Sequence, residues 1–315
     1  MANPDEPSCQ PRNSFAIELP EPYLFEIYVK KNSDLASFSE SRALTHYKSC
    51  GRKEGRVCSQ IDSKAAFKAL VPKSISILEI GPYIRPAFKK DAYNVEYLDA
   101  FSTSELREKA RAAPGENPAN APDIDYVWKG EPYSQLVKKT FGCVYSSHAI
   151  EHQPCLVYHL NQVSSVLEEN GYYFIAVPDK RYCFDRFFPE STLADILDAY
   201  LLDRRAHSPR TLLRSRLLTT HNDPARHWSG EATVDPLKQP VTKAYGKRIK
   251  DTLALWRQRT GYVDGHAWQF TPDNFEHLIQ CIYEAELSSM KLEVVYPTIK
   301  NRFEFFAVLR KASHG

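Results

Sequence analysis

The chain predicts an α/β fold: a doubly wound sheet of seven strands whose last strand runs antiparallel to the rest. Three observations predict it. Short apolar runs alternate with helical periodicity between about residues 71 and 180. Two of those runs end in an acid, Glu79 followed by Gly81 and then Asp99, 18 residues past that glycine. The final two apolar runs are joined by about six residues, too few for a parallel crossover. Parallel strands are buried on both faces and need a helix between them, so short continuous apolar runs must alternate with amphipathic ones.

Each element follows from its own pattern. Residues 65–70 read as a helix stopped by Pro72. Residues 75–80 read as the first strand, 95–98 as the second and 124–128 as the third, with a Pro-, Ala- and Asn-rich loop at 111–122. Residues 143–147 form a fourth strand. Leu156, Leu160, Val163 and Leu167, spaced 4, 3 and 4, mark one helical face, stopped at Asn170-Gly171. Residues 172–177 are the fifth strand, closed by Pro178. From 181 to 260 no strand pattern is present. Ser191 reads as an N-cap before a stripe of Leu193, Ile196, Leu197, Tyr200 and Leu201. Thr271-Pro272 opens a helix with Phe275, Leu278, Ile279 and Ile282 on one face, and residues 292–296 and 303–309 are the last two strands. The organisation expected is a partly helical, partly disordered extension over 1–70 (disordered to about residue 20), a core over 71–180 and 261–315, and a helical insertion over 181–260 that covers the acceptor site.

Composition removes several functions. The 315 residues carry 41 Lys and Arg against 39 Asp and Glu, a net charge of +2, which offers no electrostatic case for nucleic acid or a membrane surface as the main partner. Seven scattered cysteines contain no Cys-x-x-Cys pair, which points to a reducing compartment and away from a disulfide framework or a zinc knuckle. With no signal-peptide pattern at the N-terminus and no apolar run of spanning length, the expected location is cytoplasmic.

The two strand-end acids define a ligand class. Gly81 lets backbone approach a ligand, and Asp99 is placed to accept from ribose hydroxyls. A pyrophosphate would require further spaced glycines, but Pro82, Tyr83, Ile84 and Arg85 fill the rest of the loop. A ligand with ribose and no phosphate suits such a loop, and S-adenosylmethionine is the commonest. The order Leu78-Glu79-Ile80-Gly81-Pro82, Tyr97-Leu98-Asp99 and Ser146-Ser147-His148-Ala149-Ile150-Glu151-His152 resembles class I S-adenosylmethionine-dependent methyltransferases. More narrowly, the run from Val177 to Asp185 and His266-Ala267-Trp268-Gln269-Phe270-Thr271-Pro272 resemble a methyltransferase-domain subgroup associated with glycan or secondary-metabolite genes. The resemblance implies a Rossmann-like fold, S-adenosylmethionine as cofactor, and methyl transfer to oxygen or nitrogen of a small polar molecule or sugar. It implies cofactor contacts from Glu79, Gly81, Pro82, Tyr83, Asp99, Ala100, Trp128, Ser147 and His148. Tyr83 and Arg85 stand where small residues are usual in the family.

Other residues admit two uses. Trp128 either stacks on the adenine or belongs to the core. His148 either removes a proton from the acceptor or, like His152, holds the loop after the fourth strand. Asp179, Lys180, Arg181, Tyr182 and Asp185 either meet a polar or anionic acceptor or form an internal salt-bridge network. The segment His221 to Trp228 supplies acceptor contacts or a base through His221, His227 and Trp228, or is a structural turn, or is a two-His-one-carboxylate metal site at His221, Asp223 and His227. His266 completes the candidates for proton removal. Arg204, Arg205, Arg210, Arg214 and Arg216 read as a solvated face or a docking surface for an acidic group. A small-molecule or glycan acceptor is the expected partner, with a homodimer left open. The rival readings are a metal-dependent redox enzyme on the same fold and a non-catalytic binding module.

Overall fold

The computed structural model describes residues 16–231, 235, 238, 240–259 and 263–312. An N-terminal layer comes first: α1 (Phe25–Lys31), α2 (Glu40–His46) and α3 (Lys64–Lys68). The sheet begins with β1 (Ile77–Ile80) and β2 (Val95–Asp99), then α4 (Thr103–Ala112), β3 (Tyr126–Val127), α5 (Tyr133–Leu136) and β4 (Phe141–Ser147). After α6 (Leu156–Val166) and β5 (Leu167–Pro178) come α7 (Leu193–Leu201), α8 (Pro209–Leu217), α9 (Pro224–Ser229) and α10 (Lys243–Gln258). The chain closes with α11 (Pro272–Glu284), β6 (Met290–Tyr296) and β7 (Glu304–Lys311).

The seven strands lie in the order β3-β2-β1-β4-β5-β7-β6. β1 to β5 pair in parallel, while β7 inserts antiparallel between β5 and β6. This is the architecture expected from the sequence. Alternation along each strand sends side chains to two cores. Leu78, Val144, Ile175 and Ala307 face one, covered by Leu160 and Val163 of α6 and by Phe275, Ile279 and Ile282 of α11. Ile77, Tyr145, Phe174 and Val308 face the other, covered by Phe67 of α3, whose ring stacks on Phe306 at 4.7 Å. Each fully buried aliphatic or aromatic side chain of this kind contributes roughly 1.5–3 kcal/mol.

Several local expectations change. β5 starts at Leu167, directly after α6, so Asn170-Gly171 turns within the strand rather than ending the helix; Asn170 takes φ 63° there. The cap of α7 is Thr192, in a reciprocal capping box with Asp195. Ser191 is instead buried and accepts the Gln269 amide at 2.9 Å, tying the segment after β5 to the one before α11. The third strand shrinks to two residues. Part of the expected disordered tail is packed: Ile17 is buried, and the Pro20 carbonyl accepts from the Tyr296 hydroxyl at 2.8 Å. Residues 1–15 lie outside the described residues.

Candidate active site

The parallel strands deliver their carboxyl ends to one edge of the sheet. The order of connection reverses between β1 and β4, and at such a switch point the loops leave in opposite directions and open a crevice. β1 brings Glu79 and Gly81 there, β2 brings Asp99, β4 brings Ser147 and His148, and β5 leads to Asp179.

Gly81 has φ 68° and donates its amide to Leu98 O at 2.8 Å. A Cβ at this position would meet only Ala149 Cβ, at 3.7 Å, so the left-handed backbone, not crowding, is what asks for glycine. After Pro82, Tyr83 also has positive φ, 49°, and its hydroxyl donates to Glu116 at 2.6 Å, fastening the loop to the segment after α4. Glu79 is buried, and its two carboxylate oxygens accept the Ala87 amide at 2.7 Å and the Phe88 amide at 3.1 Å. Burial raises its pKa to about 7 against the opposing pull of those two amides. Glu79 therefore holds the loop that follows β1.

Asp99 is buried at the end of β2 and accepts the Phe101 amide at 3.0 Å. Burial raises its pKa, with the amides of Phe101, Tyr83 and Ala100 acting against it. The Ala100 carbonyl accepts from Lys129 at 3.1 Å. Trp128 donates its backbone amide to Asp99 O at 2.8 Å and its indole N–H to Glu131 O at 2.6 Å. Its half-buried ring meets Tyr133 edge-on at 6.0 Å and packs against the core.

At the end of β4, Lys64 from α3 donates to Ser147 Oγ at 3.0 Å and lies 2.7 Å from Glu304 Oε2. The same Glu304 oxygen lies 2.8 Å from His148 Nε2. Burial opposes charge on Glu304, but the His148 hydrogen bond and the Lys64 charge outweigh it and lower its pKa. His148 has φ 53° and donates its amide to Ala176 O at 3.0 Å, so β5 holds its backbone. Its other ring nitrogen, Nδ1, faces Glu151 Oε1 at 3.6 Å.

Glu151 is a centre the sequence reading passed over. Its side chain is 0% exposed, and neither carboxylate oxygen has a hydrogen-bond partner. His152 Nε2 lies 3.8 Å and His266 Nε2 3.9 Å from its Oε1. The far nitrogens of both rings meet acids: His152 Nδ1 is 2.8 Å from Asp264, and His266 Nδ1 is 2.5 Å from Asp185. Burial alone would lower the His152 pKa, but the Asp264 and Glu151 carboxylates raise it to about 9. The only signal in the sequence was the spacing of His148, Glu151 and His152 on one short loop.

The segment from His221 to Trp228 is built differently. The rings of His221 and His227 stack at 4.1 Å. His221 Nδ1 accepts the Asp223 amide at 3.2 Å, His227 Nε2 meets His221 O at 3.0 Å, and Asp223 caps α9 through the Arg226 amide at 3.2 Å. One nitrogen of each ring and the carboxylate thus hold the turn, His227 Nδ1 is buried without a hydrogen bond, and burial lowers the His227 pKa. The three are not gathered as ligands. Among the described residues, the set at metal-ligand spacing is Glu151, His152 and His266.

Arg181, Tyr182, His227 and Trp228 do come together, lining a groove of about 650 Å³ with Lys53 and Lys300. Tyr182 and Trp228 stack in parallel at 3.7 Å, and the Trp228 indole donates to Arg302 O at 2.8 Å. Asp179 is not part of that lining. It is fully buried and accepts from the Arg181 guanidinium (2.9 and 2.6 Å) and from the Thr298 hydroxyl at 2.7 Å. His148 and His266 belong to the carboxylate cluster.

No family model and no curated protein matches the chain. Among solved structures it is similar to the CcbJ methyltransferase from Streptomyces caelestis, 14% identical over 79% of this chain and 88% of that one, with a TM-score of 0.40. It is also similar to an S-adenosylmethionine-dependent methyltransferase from Mesorhizobium loti, 15% identical over 78% and 96%, TM-score 0.39. A third similar structure is the glycopeptide N-methyltransferase MtfA complexed with sinefungin, 18% identical over 34% of this chain, TM-score 0.25. The chain spans 49% of the length of MtfA in that match. Likeness at this level assigns no activity, and the functional reading rests on the site itself. No helix among the described residues is long and apolar enough to cross a membrane.

Proposed function

We propose that this protein is an S-adenosylmethionine-dependent methyltransferase that acts on oxygen or nitrogen of a small polar molecule or sugar. The observation that carries the reading is the pairing of Gly81, with its left-handed backbone, and buried Asp99 at the switch point of the sheet. These residues fit a nucleoside. A Cβ on Gly81 would meet only Ala149 within 4 Å, and Asp99 sits at the end of the neighbouring strand, where a ribose diol would donate to it. When bound, the cofactor supplies an electrophilic methyl group for an in-line displacement, which asks the protein for orientation, exclusion of water and removal of a proton.

The chain's own groups divide that work. His148 is the base candidate at the end of β4: Glu304 holds Nε2, which fixes the ring and leaves Nδ1 to exchange a proton. Lys64, 2.7 Å from Glu304, helps keep that carboxylate charged. The groove beside Arg181, Tyr182 and Trp228 suits a polar or anionic acceptor. Lys53, Arg181, Arg186 and Lys300 face it against Glu54, and the stacked rings offer an apolar floor for a sugar face.

Calorimetric titration with S-adenosylmethionine and S-adenosylhomocysteine tests the reading, with Asp99→Ala beside the parent protein. Micromolar binding that the variant loses supports it. Absence of binding to either ligand rejects it.

A further inference from the structure

We infer that Glu151, His152 and His266 form a binding site for one divalent first-row transition ion. The donor set is two imidazoles and a carboxylate, which suits such an ion and leaves coordination positions open. Their ligand atoms lie within 4.8 Å of one another.

The separations are what argue for an ion. A proton shared between an imidazole and a carboxylate would draw the heavy atoms to roughly 2.7–3.2 Å. The three nitrogens instead stand 3.6, 3.8 and 3.9 Å from Glu151 Oε1. Two ligand atoms about 2.1 Å from a tetrahedral ion lie roughly 3.4 Å apart, and the His152 and His266 nitrogens stand 3.8 and 3.9 Å from Glu151 Oε1. Beyond those imidazoles Glu151 has no hydrogen bond on either oxygen, and it is 0% exposed. A buried carboxylate without partners is costly unless it is paired or coordinates a metal.

Outer carboxylates strengthen the case. Each imidazole facing Glu151 presents its other nitrogen to an acid: His148 to Glu304, His152 to Asp264, His266 to Asp185. A carboxylate can only accept, so each outer acid holds a proton on the far nitrogen, and an ion bound at Glu151 would displace any proton from the near one. Metal-bound histidines are oriented in this way. The Glu151 carbonyl accepts the Ala267 amide at 2.7 Å, which fixes the loop carrying His266 against the loop carrying Glu151. His152 is 27% exposed and gives an ion a path in.

An ion here would lie beside His148, where it could take an acceptor hydroxyl and ease its deprotonation. That use rests on the methyl transfer proposed above, whereas binding of the ion does not. The test therefore reads metal retention. Full-length protein is stripped with a chelator, reloaded with Co²⁺ or Zn²⁺ and desalted, and metal per chain and the visible Co²⁺ spectrum are measured. About one equivalent should be retained, with d–d bands of an N/O site. Glu151→Gln should abolish retention, and Asp185→Asn, which leaves the ligands in place, should weaken it about 10- to 100-fold. Retention unchanged in both variants, retention lost in His221→Ala instead, or no uptake by the parent protein would overturn the inference. Near-ultraviolet circular dichroism checks that the variants are folded, and the Asp185→Asn affinity decides the matter if Glu151→Gln is not.

Discussion

The Asp179–Arg181 pair makes an asymmetric prediction. Asp179 is fully buried, while a third of the Arg181 side chain reaches solvent (34% exposed). Arg181→Ala removes the guanidinium paired with that carboxylate and leaves it holding the Thr298 hydroxyl and the Arg181 backbone amide. Breaking a buried pair in this way costs about 3–5 kcal/mol. Asp179→Asn has the opposite consequence. The guanidinium turns to water in the groove, and its loss is discounted accordingly. The amide oxygen still accepts from Thr298, and the desolvation cost of the carboxylate disappears. That variant should lose about 1–2 kcal/mol, roughly one or two neutral hydrogen bonds. In the double variant the orphaned carboxylate is gone, so it should be more stable than Arg181→Ala alone. Urea unfolding followed by fluorescence measures all three. The reasoning fails if Asp179→Asn is as damaging as Arg181→Ala, or if both cost under 1 kcal/mol.

Other perturbations test the crevice and the groove. Gly81→Ala should cost about 1 kcal/mol of stability, because alanine is strained at φ 68°. A larger fall in S-adenosylmethionine affinity should accompany it; unchanged affinity by calorimetry would remove Gly81 from the ligand site. Glu79 has a folded pKa of about 7 against an ordinary 4.5, so the folded chain binds its proton more tightly than the unfolded one. The associated stability, roughly 3 kcal/mol, is fully present below about pH 4.5 and is lost as pH rises through about 7. Glu79→Gln should flatten the fall in urea midpoint between pH 5 and pH 7.5, and an unchanged slope would refute this. Trp228→Ala should leave S-adenosylmethionine binding within twofold of the parent while weakening any acceptor found by screening about tenfold or more, a loss of the size expected for a stacked aromatic platform.

Much of the fold was legible because its cues are local. Strands buried on both faces read as continuous apolar runs, and the seven-residue link between β6 and β7 permits only an antiparallel return. The α11 cap was visible as Thr271-Pro272, and the structure shows Thr271 accepting the Asn274 amide. Where local cues competed, the reading slipped. Ser191 and Thr192 are both capable caps, and the choice went to Thr192 because Ser191 is drawn into a contact with Gln269, 78 residues away. Asn170-Gly171 has the form of a helix stop, yet β4 pairing pulls Leu167 into the sheet before that turn is reached.

By itself the sequence determined the alternating elements, the glycine after the first strand and the two acids at the strand ends, since each depends on neighbours a few residues away. Tertiary structure alone decided which polar groups meet. Glu151 acquires His266 from 115 residues further along and lies on the loop whose His148 is held by Glu304 of β7. Glu79 accepts two loop amides, and the histidines at 221 and 227 stack on one another. Hydrogen bonds and ion pairs act over a few ångströms in space and carry no period along the chain, so only the packed sheet brings Asp185, Asp264, Glu304 and three imidazoles around one buried carboxylate.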